Sequence, residues 1–266
     1  MQYKKKLGLA LGAGGSFGLA HLGVLSVLEK YKIPIDYISG SSIGAVIGCH
    51  YSLYRDLKKL EEDAKSFIKE NNFSLFNIET VLERKKRIRK FKLYFEDIFG
   101  DSTFKDCKTP LCITAADLET GKIVYLNKGS LRSALLASIS IPLVFEPVFY
   151  WGRWLVDGGF LDPIPLDILQ KKNPSVLVGV DLYPKIKKIF AKQPTHLETA
   201  QRCFRIFEHT MTESTLKKIP NKIIIKPKYT LVKDLFSLET AKSYKIAGER
   251  GALQQISKIK EALDMQ

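Results

Sequence analysis

The residues with the clearest chemical meaning are Gly40-Ser41-Ser42-Ile43-Gly44, a serine with a glycine two places before it and another two after. An apolar segment from Ile35 to Ser39 precedes this turn, and a helix-like segment from Ile43 to Leu53 follows. A sharp strand-to-helix turn presents the central hydroxyl at the end of the strand, where an electrophile can reach it. Side chains at the flanking positions would clash in so tight a bend, so Gly40 and Gly44 support it. The helix start also sets the positive end of a dipole beside the hydroxyl. The chemistry these residues suit is nucleophilic attack by Ser42. Gly-x-Ser-x-Gly alone also occurs in ordinary loops, and its place between strand and helix is what gives it weight here.

A second glycine-rich loop, Gly12-Ala13-Gly14-Gly15-Ser16-Phe17-Gly18, again joins a strand-like to a helix-like segment. One reading is a dinucleotide fingerprint, whose glycines let a pyrophosphate approach a helix N-terminus. The spacing disagrees, because Phe17 stands where the third glycine belongs. The next strand also ends in the serine turn and not in a ribose-binding acid. The other reading is an oxyanion hole built by Gly12, Gly14 and Gly15, in which the bare backbone N–H groups of Gly14 and Gly15 face the oxygen that becomes negative during acyl transfer and Gly12 keeps the turn open. Both loops then leave neighbouring strands at one sheet edge, where open α/β folds build their sites. The oxyanion reading is preferred.

A serine nucleophile needs a proton acceptor. The chain offers four histidines, His21, His50, His196 and His209. His21 lies one turn into the first helix and His50 two turns beyond Ser42, so neither obviously meets the hydroxyl. An α/β-hydrolase order would make Ser42, Asp157 and His196 or His209 a triad. Asp157-Gly158-Gly159 is also an acid at the end of a strand, with room left beside it by two glycines. An isolated Asp-Gly-Gly is more often a turn, and the residues alone leave dyad and triad both open.

The elements that must position these groups alternate along the chain. Strands are predicted at Lys6–Leu11, Ile35–Ser39, Leu111–Ala116, Lys122–Leu126, Trp154–Val156, Val176–Asp181 and Lys222–Lys226. Helices are predicted after Leu19, at Ile43–Leu53, Leu131–Ser138, Thr195–Lys217 and Leu238–Ala262. Alternation of this kind predicts an α/β fold of three layers, a mainly parallel central sheet with helices on both faces. With 266 residues, 45% of them hydrophobic and 26% charged, the chain can form one sizeable core as a single domain, 1–266. Residues 55–106 stand apart as a helical basic insertion, read as a cap over one end of the sheet. There Val81, Ile88, Phe91, Phe95 and Ile98 form an apolar stripe beneath Arg84, Lys85, Lys86, Arg87, Arg89 and Lys90.

Forty-two Lys and Arg against 28 Asp and Glu leave a net charge of +14, which predicts an anionic partner. An anionic membrane surface facing the basic run of the insertion is the partner expected. No nucleic-acid motif accompanies the charge, so no specific nucleic acid is expected. Lys4, Lys5 and Lys6 ahead of an apolar stretch imitate a signal peptide, but five glycines interrupt that stretch. Cys49, Cys107, Cys112 and Cys203 show no metal-ligand grouping and read as buried free thiols. The expected place is the cytoplasm, with peripheral contact to the inner membrane face.

Taken in order, four blocks make a more specific signal than any one of them. They are Gly12-x-Gly14 with Gly18-x-x-His21-x-Gly23-Val24-Leu25, Gly40-x-Ser42-x-Gly44, Ala137-Ser138-x-x-Ile141-Pro142, and Val156-Asp157-Gly158-Gly159 with Pro163-x-Pro165. Over roughly residues 6 to 182 the sequence resembles the patatin-like phospholipase family, most closely its compact bacterial members. The resemblance implies a Ser–Asp dyad with no catalytic histidine, Ser42 as nucleophile, Asp157 as proton acceptor and Gly12 to Gly15 as oxyanion hole. It implies hydrolysis of acyl esters in lipids, phospholipid or lysophospholipid, without metal or organic cofactor. Two departures stand out. Phe17 replaces the Arg or Lys usual in the first loop, which makes a catalytically inactive, membrane-associated interaction protein thinkable. Asp162 replaces a common Asn, and its charge is expected to raise the pKa of Asp157.

Overall fold

Leu7–Leu11 is apolar at every position and buried at every position, as a strand covered on both faces must be. The computed structural model describes residues 5–70, 81–142, 144–183, 193–229 and 237–265. The first half runs β1 (Leu7–Leu11), α1 (Ala20–Lys30), β2 (Tyr37–Gly40), α2 (Ile43–Tyr54), α3 (Leu57–Glu70), α4 (Val81–Phe99), β3 (Leu111–Asp117) and β4 (Ile123–Leu126). The second half runs α5 (Leu131–Ser138), β5 (Val148–Tyr150), β6 (Arg153–Asp157), α6 (Leu166–Gln170), β7 (Val176–Val180), α7 (His196–Lys218), β8 (Lys222–Ile225), α8 (Leu238–Leu253) and α9 (Ile256–Ala262).

The strands form one sheet in the order β5-β6-β3-β2-β1-β7-β8, with β4 pairing on β3. The five strands β3, β2, β1, β7 and β8 are parallel, whereas β4, β5 and β6 are antiparallel additions. Helices cover both faces, with the main core drawn from α1, α2, α5 and the inner positions of β1, β2, β3 and β7. A smaller apolar cluster, with Leu166 and Leu169 of α6, seals the other face of β1 and β7. This is the expected α/β architecture with a mainly parallel centre.

Three local differences from the sequence reading have physical reasons. The strand β5 was not foreseen, because Val148-Phe149-Tyr150 is a three-residue edge strand that presents no buried face. The five-residue helix α6 is too short for periodicity to announce it. The single helix expected over Leu238–Ala262 is two helices, broken so that Ile256 and Ile259 of the second turn into the core. Of the cysteines, Cys49 and Cys112 are buried, but Cys203 is exposed, which corrects the expectation of buried thiols.

Within 55–106, the described residues form α3, α4 and a short 3₁₀ turn, with no named strand. Phe95 and Phe99 of α4 are buried, and Ile88, Phe91 and Ile98 are half-buried. Lys86, Arg89, Lys90 and Lys92 point outward. The side chains of Val81, Arg84, Lys85 and Arg87 lie outside the described residues.

Candidate active site

Everything converges at the carboxyl ends of β1 and β2. Ser42 caps the start of α2 with φ +53° and ψ −123°, a conformation that a non-glycine residue seldom holds. The surroundings impose it. A Cβ on Gly44 would collide with the Leu11 carbonyl oxygen, and one on Gly40 would stand 2.6 Å from the Ala45 nitrogen, so the bend closes only with glycine on both sides. The Ser42 N–H donates to Ser138 Oγ at 3.0 Å, tying the turn to the end of α5.

The Ser42 hydroxyl donates to Asp157 Oδ2 at 2.6 Å. The other carboxylate oxygen accepts the Gly159 N–H at 2.7 Å, and the Asp157 N–H donates to Ser140 O at 3.0 Å. A Cβ on Gly158 would run into Thr114 of β3, which explains why the chain can turn there only with glycine. Both side chains are nearly dry, Ser42 being 6% and Asp157 4% exposed. Burial pushes the Asp157 carboxyl up to about 7, opposed by the hydrogen bonds from Ser42 and Gly159. The pair is therefore a hydroxyl held against a carboxyl that gains and loses its proton near neutrality. It can pass a proton from oxygen to oxygen without a third group.

The glycine loop lies beside this pair. Gly12 donates its N–H to Val180 O at 3.2 Å, Ala13 donates to Pro163 O at 2.8 Å, and His21 Nε2 bonds Gly12 O at 2.9 Å. Burial lowers the His21 pKa to about 4, so the ring is neutral and its Nε2–H is the donor. These bonds fix the loop and leave the N–H groups of Gly14 and Gly15 with no acceptor among the described residues. Gly12 therefore holds the loop, its own N–H being engaged by Val180 O. Gly15 has φ +55° and open space where a Cβ would be.

The histidines sit elsewhere in the bonding scheme. His50 Nε2 pairs with Asp63 Oδ2 at 2.7 Å, His196 opens α7 in an exposed position, and His209 is half-buried further along α7. Among the described residues no histidine has a hydrogen bond to Ser42 or Asp157. An apolar cavity of about 130 Å³ opens from Ser42, roofed by Phe67 of α3, Phe91 and Phe95 of α4, and Phe145.

Two further groups, Glu208 and Arg205, gave no sequence signal because α7 carries no motif. Glu208 of α7 is raised to about 7 by burial, with the Tyr183 hydroxyl and Arg205 lowering it and the Asp157 charge raising it. Its Oε1 would stand 3.7 Å from a Cβ on Gly159, so a second carboxyl borders the first. The Arg205 guanidinium lies 5.5 Å over the Phe17 ring, so a cation borders the glycine loop although Phe17 itself is a buried apolar residue. Asp162 is buried, accepts from the Tyr125 hydroxyl at 3.2 Å and is itself raised to about 7, by burial and then by Asp167. The rise at Asp157 comes from burial and not, as expected, from Asp162.

Residues 9–169 match the sequence model of the family described as patatin-like phospholipase. The chain belongs to that family. Over 177 residues it is 35% identical to an uncharacterised NTE family protein of Mycobacterium tuberculosis, covering 66% of this chain and 49% of that one. Lysophospholipase NTE1 of Debaryomyces hansenii is 28% identical over 245 residues, covering 90% of this chain and 15% of that protein. The chain thus spans half or less of the length of these curated relatives. In fold it is similar to VipD from Legionella pneumophila, with TM-score 0.54, 14% identity, and 96% and 67% of the two chains covered. It is similar too to human GIVD cytosolic phospholipase A2, with TM-score 0.50, 11% identity, and 98% and 59% covered. The patatin-like blocks of the sequence are the parts that build this site.

Proposed function

We propose that this protein is a serine acyl-ester hydrolase acting on lipids, phospholipid or lysophospholipid, through a Ser42–Asp157 dyad and an acyl-enzyme. The observation that carries the reading is the 2.6 Å hydrogen bond from Ser42 Oγ to Asp157, beside two glycine N–H groups that have no acceptor among the described residues. The family, with a lysophospholipase among its members, supports a lipid ester as substrate. Ser42 Oγ attacks the ester carbonyl carbon as its proton passes to Asp157 Oδ2. The carbonyl oxygen becomes anionic and takes hydrogen bonds from Gly14 and Gly15, a kind of donor whose loss typically lowers turnover by about 10²–10³. Asp157 then gives the proton to the leaving alcohol oxygen as its bond to carbon breaks. Water, deprotonated by Asp157, releases the acid and restores Ser42. These steps call on no other group.

The apolar cavity gives the acyl chain a place to lie, with the ester at Ser42 and the chain between α2, α3 and α4. We further read residues 1–266 as one domain, with 55–106 as the insertion that roofs this cavity. Its outward lysines and arginines are proposed to face anionic lipid. The triad alternative has no histidine at the dyad to support it. An inactive protein is the reading that experiment must exclude. Ser42→Ala should abolish both ester hydrolysis and covalent labelling by a fluorophosphonate while leaving the circular dichroism spectrum unchanged. Asp157→Asn should lower turnover nearly as far, because an amide takes no proton. Activity that survived in Ser42→Ala would end the proposal.

A further inference from the structure

Most of the large exposed apolar side chains on the β5–β6 side of the sheet gather in one hairpin. Phe149 is 61% exposed and Trp154 47%, and their rings meet at 5.1 Å, tilted by 57°, across β5 and β6. Leu118 is 52% exposed, and its N–H donates to Trp154 O at 2.9 Å, which places the turn after β3 beside the hairpin. Trp151 is 37% exposed at the tip. Trp151 and Gly152 both have positive φ, +53° and +70°, as a two-residue type I′ turn demands. A bulky aromatic seldom occupies such a position, and here the turn displays it outward. Packing within the chain gives no reason to collect four such side chains at one edge of the sheet, where apolar exposure invites association.

The register shows which way the hairpin points. Gly40 at the end of β2 pairs with Ile113, and β3 continues to Asp117, where Leu155 is its partner. The strand β6 thus comes in from beyond the sheet's carboxyl edge and reaches the Ser42 turn only at Asp157. The tip stands about 16 Å further out along β6 than Asp157, beyond the carboxyl edge of the sheet at which Ser42 also lies. The charge around it is mixed and tends to basic. Lys128 lies 5.4 Å over the Trp151 ring, Lys122 is exposed, and Arg153 is paired with Asp117 at 2.9 Å. Glu119 and Glu146 are the exposed acids. At the base of the hairpin the Phe91 ring of α4 meets Phe145 at 5.2 Å, which brings the exposed Lys90 and Lys92 to the same flank.

We propose that the β5–β6 hairpin is an interfacial anchor, which inserts Phe149, Trp151, Trp154 and Leu118 among the headgroups of an anionic lipid bilayer and holds the Ser42 site over it. Aromatic rings with a polar edge favour that depth, and lysines beside them complement the lipid charge. Basic helix α4 adds attraction without insertion. The inference rests on the lipid-hydrolase reading for its purpose, although its geometry is independent of the dyad.

The chain's two tryptophans are both in this hairpin, so its own fluorescence reports on it alone. The test uses the full chain carrying Ser42→Ala, so that the lipid is not consumed, and vesicles of phosphatidylcholine and phosphatidylglycerol in equal parts. Emission should shift to the blue and be quenched by lipids brominated near the headgroup. Phe149→Ser combined with Leu118→Ser keeps both reporters and should weaken vesicle co-sedimentation about tenfold. In the Ser42 background the same pair should slow hydrolysis of vesicle lipid and leave hydrolysis of a dispersed short-chain ester unchanged. Bound protein with unmoved emission would overturn the proposal, because another surface would then be docking. So would emission that is already blue without lipid and depends on protein concentration, the mark of a protein partner. If the emission shift occurs but the wild type hydrolyses no ester, the anchor stands and the hydrolase reading falls.

Discussion

Asp157 must be ionised to take the Ser42 proton, yet burial holds its carboxyl at about 7. The value of kcat/KM is therefore expected to climb as pH rises through about 7 and to level off above it. A profile flat from pH 5 to 9 would remove Asp157 as the base. Glu208 sets a second, half-buried carboxyl beside the first, and the Asp157 charge disfavours its ionisation. The same burial has a sign for stability. A carboxyl whose pKa is raised on folding binds its proton more tightly in the folded state, so stability is full below about pH 4 and falls as pH rises through about 7. Asp157→Asn removes that ionisation. At pH 8 the variant should melt at a higher temperature than the wild type, by an amount equivalent to a few kcal/mol at most. At pH 4 the two should differ little. Equal melting temperatures at both values would mean that Asp157 is less buried than its surroundings suggest.

At the level of elements, what the sequence made legible was local. The strand-turn-helix of Gly40 to Gly44 could be read because each feature, an apolar run, two glycines and a helical stripe, lies within a few residues of the next. The glycine loop could be read for the same reason. His21 was seen only as a residue off the reaction path, because its bond to Gly12 O closes through space and not through spacing. Glu208 and Arg205 were invisible because α7 reaches the site by tertiary packing alone, and Tyr183, beyond the end of β7, because it meets Glu208 only in the folded chain. The cavity was invisible too, since it exists only where α2, α3 and α4 face one another. That arrangement makes a prediction of its own. From Ser42 to His50 helix α2 rises about 12 Å, and both residues line the cavity, so a chain of moderate length can lie along it. Ala64 on α3 also lines it. Ala64→Phe should lower hydrolysis of a long-chain ester at least tenfold relative to a butyrate ester of the same alcohol. Parallel losses on both substrates would place the acyl chain elsewhere.

At the scale of the whole molecule the question is how the protein meets the lipid proposed as its substrate. Among the described residues no helix is long and apolar enough to span a bilayer. What the molecule has is a charge of +14, with exposed Lys86, Arg89, Lys90 and Lys92 on a helix whose inner face roofs the cavity. On the proposed reading one helix would couple attraction outside to chain binding inside, placing the lipid that draws the protein down next to the slot proposed for its acyl chain. Such attraction works over a Debye length, about 10 Å at 0.1 M salt and about 3 Å at 1 M. Hydrolysis of lipid in anionic vesicles should therefore drop steeply as sodium chloride is raised from 0.1 to 1 M. Hydrolysis of a dispersed neutral ester should barely change, because the dyad is buried and its bond is short-ranged. Lys86, Arg89 and Lys90 changed together to Gln should flatten the salt dependence on vesicles and leave the dispersed rate intact. A wild-type vesicle rate indifferent to salt would assign the positive charge to something other than the substrate's surface.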